Sequence, residues 1–108
     1  MPIDIVAEQP FRIGIPTVIK GPALDGPFVV VFEDDGETGY FYAMDSSKEQ
    51  PFQDGVMIYS LKSAEDKPYV AQIGWSPDSK KAILLINGYP NAVFDFDLKQ
   101  GCCRTGYP

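Results

Sequence analysis

FVVVFEDDGETGYFYAM, residues 28–44, decides the fold class. Residues 28–32 form an unbroken β-branched and aromatic run, the mark of a strand covered on both faces. Residues 39–44 (GYFYAM) form a second run, and Asp35-Gly36 lies between the two. Asp-Gly is a strong hairpin signal, because a type I′ turn needs positive φ at both central residues. With Asp35 and Gly36 at the turn centre, Asp34 pairs with Glu37, Glu33 with Thr38, Phe32 with Gly39 and Val31 with Tyr40. That register sets an aromatic ring across from a glycine, a favourable pairing in sheets.

Downstream, residues 56–61 (VMIYSL), 69–75 (YVAQIGW) and 81–86 (KAILLI) read as further strands. Pro77 suits the second position of a turn after Trp75. Residues 91–98 alternate, with Ala92, Phe94, Phe96 and Leu98 toward a core and Val93, Asp95, Asp97 and Lys99 toward water. Residues 87–91 (NGYPN) are expected to protrude as a loop with Tyr89 near its apex. In the connector 45–54, Ser46 and Glu49 have capping-box spacing, and Pro51 limits any helix to one turn near residues 46–50. Upstream, Pro2, Pro10, Pro16, Pro22 and Pro27 forbid a helix or a central strand but allow short edge or extended pieces such as residues 11–15. The expectation is one all-β domain over residues 1–108, made of a proline-rich wrapping segment (1–27) and an antiparallel sheet (28–108). Its six to seven strands should form a meander closed as a small barrel or a two-layer sandwich.

Composition narrows the chemistry. The 108 residues include no histidine, so Ser-His, Cys-His and His-metal arrangements are closed to the chain acting alone. The only two cysteines, Cys102 and Cys103, are neighbours and cannot staple distant parts of a fold. A reduced, cytosolic setting fits them. A net charge of −6 disfavours nucleic acid and anionic membrane as partners and favours a basic one. No apolar run reaches the roughly 18–20 residues of a membrane helix, and MPIDIVAEQP lacks the features of a secretory signal. No catalytic residue, cofactor or metal site is expected.

Four constellations remain as candidates. Glu33, Asp34, Asp35 and Glu37 crowd one hairpin, where an Asp34–Glu37 pair would cost up to about 1 kcal/mol of like-charge repulsion. Such a cluster is suited to receiving Lys or Arg, whereas the calcium-loop spacing is absent. Asp95 and Asp97 lie ~7 Å apart along one strand face, within range of a carboxylate pair but on the wet side. Arg104 beside Cys102-Cys103 favours a thiolate, while an inward cysteine on a terminal strand packs as a small hydrophobe. Tyr40 and Tyr42 share a face opposite Phe41 and, with Tyr89, offer contact area of the kind enriched at interfaces.

Three stretches carry a family resemblance: FEDDGETGYFYAMD at 32–45, the block from WSPD at 75 through LLINGYPNAVFDF at 84–96, and CRTGYP at 103–108. Occurring in this order, they resemble a small bacterial family known as domain of unknown function 2251. The resemblance implies a small β-rich bacterial protein and brings no catalytic residues with it. The leading expectation is a non-enzymatic cytosolic interaction module, by analogy an immunity-type or inhibitor protein. Its face for a basic protein partner comprises Glu33, Asp34, Asp35, Glu37, Tyr40, Tyr42 and Tyr89. The alternatives are a small-molecule binder or carboxylate enzyme around Asp95 or Asp97, and a structural subunit that self-associates through an edge strand.

Overall fold

Nine strands build two antiparallel sheets in the computed structural model, which describes residues 3–50, 52–60, 68–97 and 100–103. They are β1 (Asp4–Arg12), β2 (Thr17–Pro22), β3 (Phe28–Asp34), β4 (Thr38–Asp45), β5 (Phe52–Ser60), β6 (Pro68–Trp75), β7 (Lys81–Ile86), β8 (Tyr89–Asp95) and β9 (Gln100–Cys103). A five-stranded sheet runs β1-β6-β7-β8-β9 and a four-stranded sheet runs β2-β3-β4-β5. No ladder joins the sheets among the described residues, so the architecture is a two-layer sandwich and not a closed barrel.

The strand count exceeds the expected six to seven because the proline-rich segment supplies two strands of its own. Among the described residues β1 pairs only with β6 and β2 only with β3, so both lie at sheet edges, where Pro10 and Pro22 leave few ladder bonds unmade. The chain passes from one sheet to the other at residues 13–16, where Gly14 takes φ 91°. Leu98, Lys99, Arg104 and Tyr107, with the connection at 61–67, lie outside the described residues.

Period-two alternation places the core. Ile19, Val30, Phe32, Phe41 and Ala43 from one sheet meet Ile73, Trp75, Leu84, Ala92 and Phe94 from the other. Phe96, one residue beyond β8, keeps the alternation and is buried. The Trp75 Nε1–H donates to the Gly21 carbonyl of the opposite sheet at 3.0 Å. Gly21 must lack a side chain, because a Cβ there would collide with Ile73.

The β3–β4 register differs from expectation by two residues. Asp34 pairs with Gly39, Glu33 with Tyr40, Phe32 with Phe41 and Val31 with Tyr42. A slip of two preserves which residues share a face. It arises because Asp35 starts a wider turn: its Oδ1 accepts the N–H groups of Glu37 and Thr38, each at 2.9 Å. Only Gly36 has positive φ there, at 102°, whereas Asn87 (51°) and Gly88 (81°) both do and form the type I′ turn. The Asp34–Glu37 repulsion therefore never arises. The ring across from Gly39 is Tyr59 of β5, not Phe32, and a Cβ on Gly39 would meet it.

Two connections also differ. Residues 46–50 are turns without a helix, and Asp45 instead of Ser46 organises them, its Oδ1 accepting the Ser47 N–H at 3.0 Å and hydroxyl at 2.5 Å. Residues 87–91 do not protrude, since Asn87 and Gly88 are the whole turn and Tyr89 opens β8.

Candidate functional site

Alternation along the four-stranded sheet turns Val18 and Lys20 of β2, Val29, Val31 and Glu33 of β3, and Tyr40, Tyr42 and Met44 of β4 away from the core. Met57 of β5 pairs with Tyr40, and Phe52 with Met44. A sheet face that meets only water normally carries polar residues. Here Phe52 is 61% exposed, Met57 57%, Val18 52% and Tyr40 39%. Val31 on the same face is covered by its neighbours, being 2% exposed. The Tyr42 hydroxyl donates to Glu33 Oε1 at 3.0 Å, and its ring lies 6.1 Å from that of Phe52. Desolvation, then this bond to Glu33, raises the Tyr42 pKa.

The structure therefore brings Glu33, Tyr40 and Tyr42 together, with Asp35 and Glu37 exposed at the adjoining hairpin. It does not bring Asp34 or Tyr89 to them. Tyr89 is exposed, but it belongs to the five-stranded sheet. Asp34 lies on the inward parity of β3 and is 1% exposed, so it cannot form part of a surface. The Asp35 carboxyl is held below the ordinary carboxylate range by the Thr38 and Glu37 N–H groups of its own turn. Val18, Phe52 and Met57 were not among the sequence candidates. The alternation of Val18 and Lys20 with Ile19 was a usable signal. Met57 was hidden, because an irregularity in the β4–β5 pairing turns Met57 outward while Tyr59, two residues on, packs against Phe32.

Asp34 is instead a structural hub. Its Oδ2 accepts the Gly14 N–H at 2.8 Å and the Tyr59 hydroxyl at 2.6 Å, and its Oδ1 accepts the Gly36 N–H at 2.8 Å. The carboxylate thus fixes the β1–β2 corner, the β3–β4 turn and β5 to one another. Burial first, and the bond to Asp34 second, push the Tyr59 hydroxyl far above the usual tyrosine range. The folded state keeps this proton while the unfolded chain releases it above pH ~10. The associated stability is complete below that pH and falls above it, by about 1.4 kcal/mol per pH unit for one proton. Urea titrations from pH 9 to 11 should show this decline, and Tyr59→Phe should reduce its slope. Tyr42, shifted in the same direction, retains a share of it.

The remaining candidates are placed differently. Asp95 Oδ1 accepts the Asp97 N–H at 2.9 Å, and Asp97 pairs with Lys80 Nζ at 3.5 Å on the surface. An apolar depression of about 70 Å³ is lined by Ile3, Ser76, Lys81, Ala82, Ile83 and Val93, and contains neither aspartate. Ligand sites for small molecules usually run to roughly 300–1,000 Å³. The β8–β9 register sets Cys102 across from Val93 and Cys103 across from Ala92. Among the described residues no group of His, Cys, Asp and Glu is arranged to hold a metal ion.

The chain belongs to the family described as "Uncharacterized protein conserved in bacteria (DUF2251)", which matches residues 11–108. It is 45% identical over 84 residues to a protein of Haemophilus influenzae described as an uncharacterized protein. That match covers 75% of this chain and 52% of the relative, so the chain spans about half the length of the curated relative it matches. No solved structure matches the chain.

Proposed function

We propose that this member of the bacterial family is a cytosolic, non-enzymatic interaction module that holds a basic protein against the outer face of its four-stranded sheet. One observation carries the reading: Val18, Phe52 and Met57 stand exposed around Tyr40 and Tyr42, beside the carboxylates of Glu33 and Glu37. Contiguous apolar surface rimmed by charge is what interaction sites look like, and aromatic residues and Met are enriched in them. The net charge of −6 would speed encounter with a cationic partner and suppress acidic ones. An inhibitor or immunity-type role is the form of this activity that fits a small acidic chain. Asp34 and Tyr89 drop out of the face, and Val18, Phe52 and Met57 enter it.

Photo-crosslinking tests the reading. A benzophenone amino acid at position 40 or 57, expressed in the native host, should yield an adduct with the same basic protein. The same group at Ile5, exposed on the other sheet, should not. The adduct yield in lysate should fall as salt rises, since steering is screened beyond about 10 Å at 0.1 M. No adduct, an acidic partner, equal yield from position 5 or indifference to salt would each overturn it.

A further inference from the structure

Within that face, one group of side chains is more specific than the rest. Glu33 of β3 lies directly across from Tyr40 of β4 on one side and Val18 of β2 on the other. Tyr42, the next residue of β4 on the same face, reaches Glu33 Oε1 with its hydroxyl at 3.0 Å. The half-buried carboxylate is thus seated between two tyrosine rings and a valine. Cross-strand partners on one face have Cβ atoms ~5 Å apart, so the Tyr40 ring is within reach of anything bound to Glu33. On the far side of Tyr42 stands Gly55, and the Phe52 ring packs over that glycine, 6.1 Å from the Tyr42 ring, which leaves the Tyr40 ring as the open aromatic face beside Glu33.

We propose that Glu33, Tyr40 and Tyr42 form a receptor for the guanidinium group of an arginine on the partner protein. The proposal rests on the reading above for the existence of a partner and adds the chemistry that partner must present. A carboxylate offers about four acceptor positions, and Tyr42 occupies one of them. Among the described residues, Lys20 is the cation on the same face, and it makes no ion pair with Glu33. The Tyr42 hydroxyl, its pKa raised, stays a proton donor and fixes the carboxylate in place. A planar guanidinium can hydrogen-bond the carboxylate while stacking on a tyrosine face; a lysine ammonium cannot do both as well. The exposed Val18 and Met57 beside the seat would exclude water once a partner covers them, as the surroundings of an interface hot spot do.

The test is an NMR titration of the full chain with N-acetyl-arginine methylamide, with the citrulline and lysine analogues as controls. The arginine probe should shift the ring signals of Tyr40 and Tyr42 and the side-chain carboxyl of Glu33, saturably and in the millimolar range. The neutral citrulline probe should not, and the lysine probe should bind more weakly. Glu33→Gln should remove most of the response with the amide spectrum otherwise intact. Tyr40→Phe should retain it, while Tyr40→Leu weakens it by roughly two- to fivefold, the value of an exposed cation–π contact. Equal response to citrulline or lysine, or an arginine response indifferent to Glu33, overturns the proposal. Adducts from positions 40 and 57 with a silent arginine titration would leave the docking face standing and remove the guanidinium seat. An arginine response with no partner adduct would do the reverse.

Discussion

Asp34→Ala is expected to destabilise the fold by about 3–5 kcal/mol, read as a fall in the urea midpoint followed by fluorescence of the single tryptophan. The side chain is 1% exposed, and alanine would orphan three donors at once: the N–H groups of Gly14 and Gly36 and the Tyr59 hydroxyl. A fully buried donor left without a partner costs roughly 1–3 kcal/mol, and each of these three half-buried ones costs less by whatever water reaches it. A domain stable by about 5–15 kcal/mol would lose a large share of its margin.

Asparagine restores only part of the loss. Its amide has one acceptor oxygen, and whichever way it is turned its NH₂ faces a backbone N–H, Gly36 on one side or Gly14 on the other. Tyr59→Phe removes one donor from a carboxylate that keeps two, so it should cost about 1.5–3 kcal/mol, typical of a bond to a charged group. The order is therefore wild type, Tyr59→Phe, Asp34→Asn, Asp34→Ala. An alanine variant within about 1 kcal/mol of wild type would contradict the hub, since that is what an ordinary substitution costs.

The same aspartate shows where local sequence reading ends. Asp35-Gly36 carries the correct turn signal, and a hairpin forms there. Its register depends on where the neighbouring carboxylates find donors, and one of those donors, Gly14, lies twenty residues away in the chain. The acidity of residues 33–37 looked like a uniform surface charge. It divides instead into a buried hub (Asp34), a turn former (Asp35) and two acids left for the exterior (Glu33 and Glu37). Strands with sharp boundaries were legible: residues 81–86 are β7 as read, and Ala92, Phe94 and Phe96 are buried as their alternation required. The N-terminal strands were obscured by prolines, which allow an edge piece but do not place it: the piece expected at residues 11–15 is the end of β1 and the corner before β2. The apolar outer face was obscured for a different reason. FVVVF and VMIYSL give no alternation from which to tell inside from outside, and only the layering of two sheets decides it.

Trp75→Ala is expected to be the most damaging core substitution, at about 4–6 kcal/mol. The indole is fully buried, stacked on Phe96 at 5.4 Å between ring centres, and Phe96 is stacked on Phe28 at 4.2 Å. That column runs from β6 to the start of β3, so removing one ring opens a void between the sheets. The loss is compounded at Gly21, whose carbonyl accepts the indole N–H at 3.0 Å. Trp75→Phe separates the two contributions, because it retains a ring and deletes the donor; a loss of about 0.5–1.5 kcal/mol is expected from the missing hydrogen bond, with a little more from the smaller ring. Gly21→Ala attacks the contact from the other side, driving a methyl into Ile73 for about 1–3 kcal/mol of overpacking and displacing the carbonyl from the indole. Since both variants break one bond, the double variant should be less damaged than the sum of the singles by about 0.5–1.5 kcal/mol. Unfolding followed by circular dichroism, which does not need the tryptophan, measures all three. Strict additivity would mean that the Trp75–Gly21 bond does not clasp the two sheets.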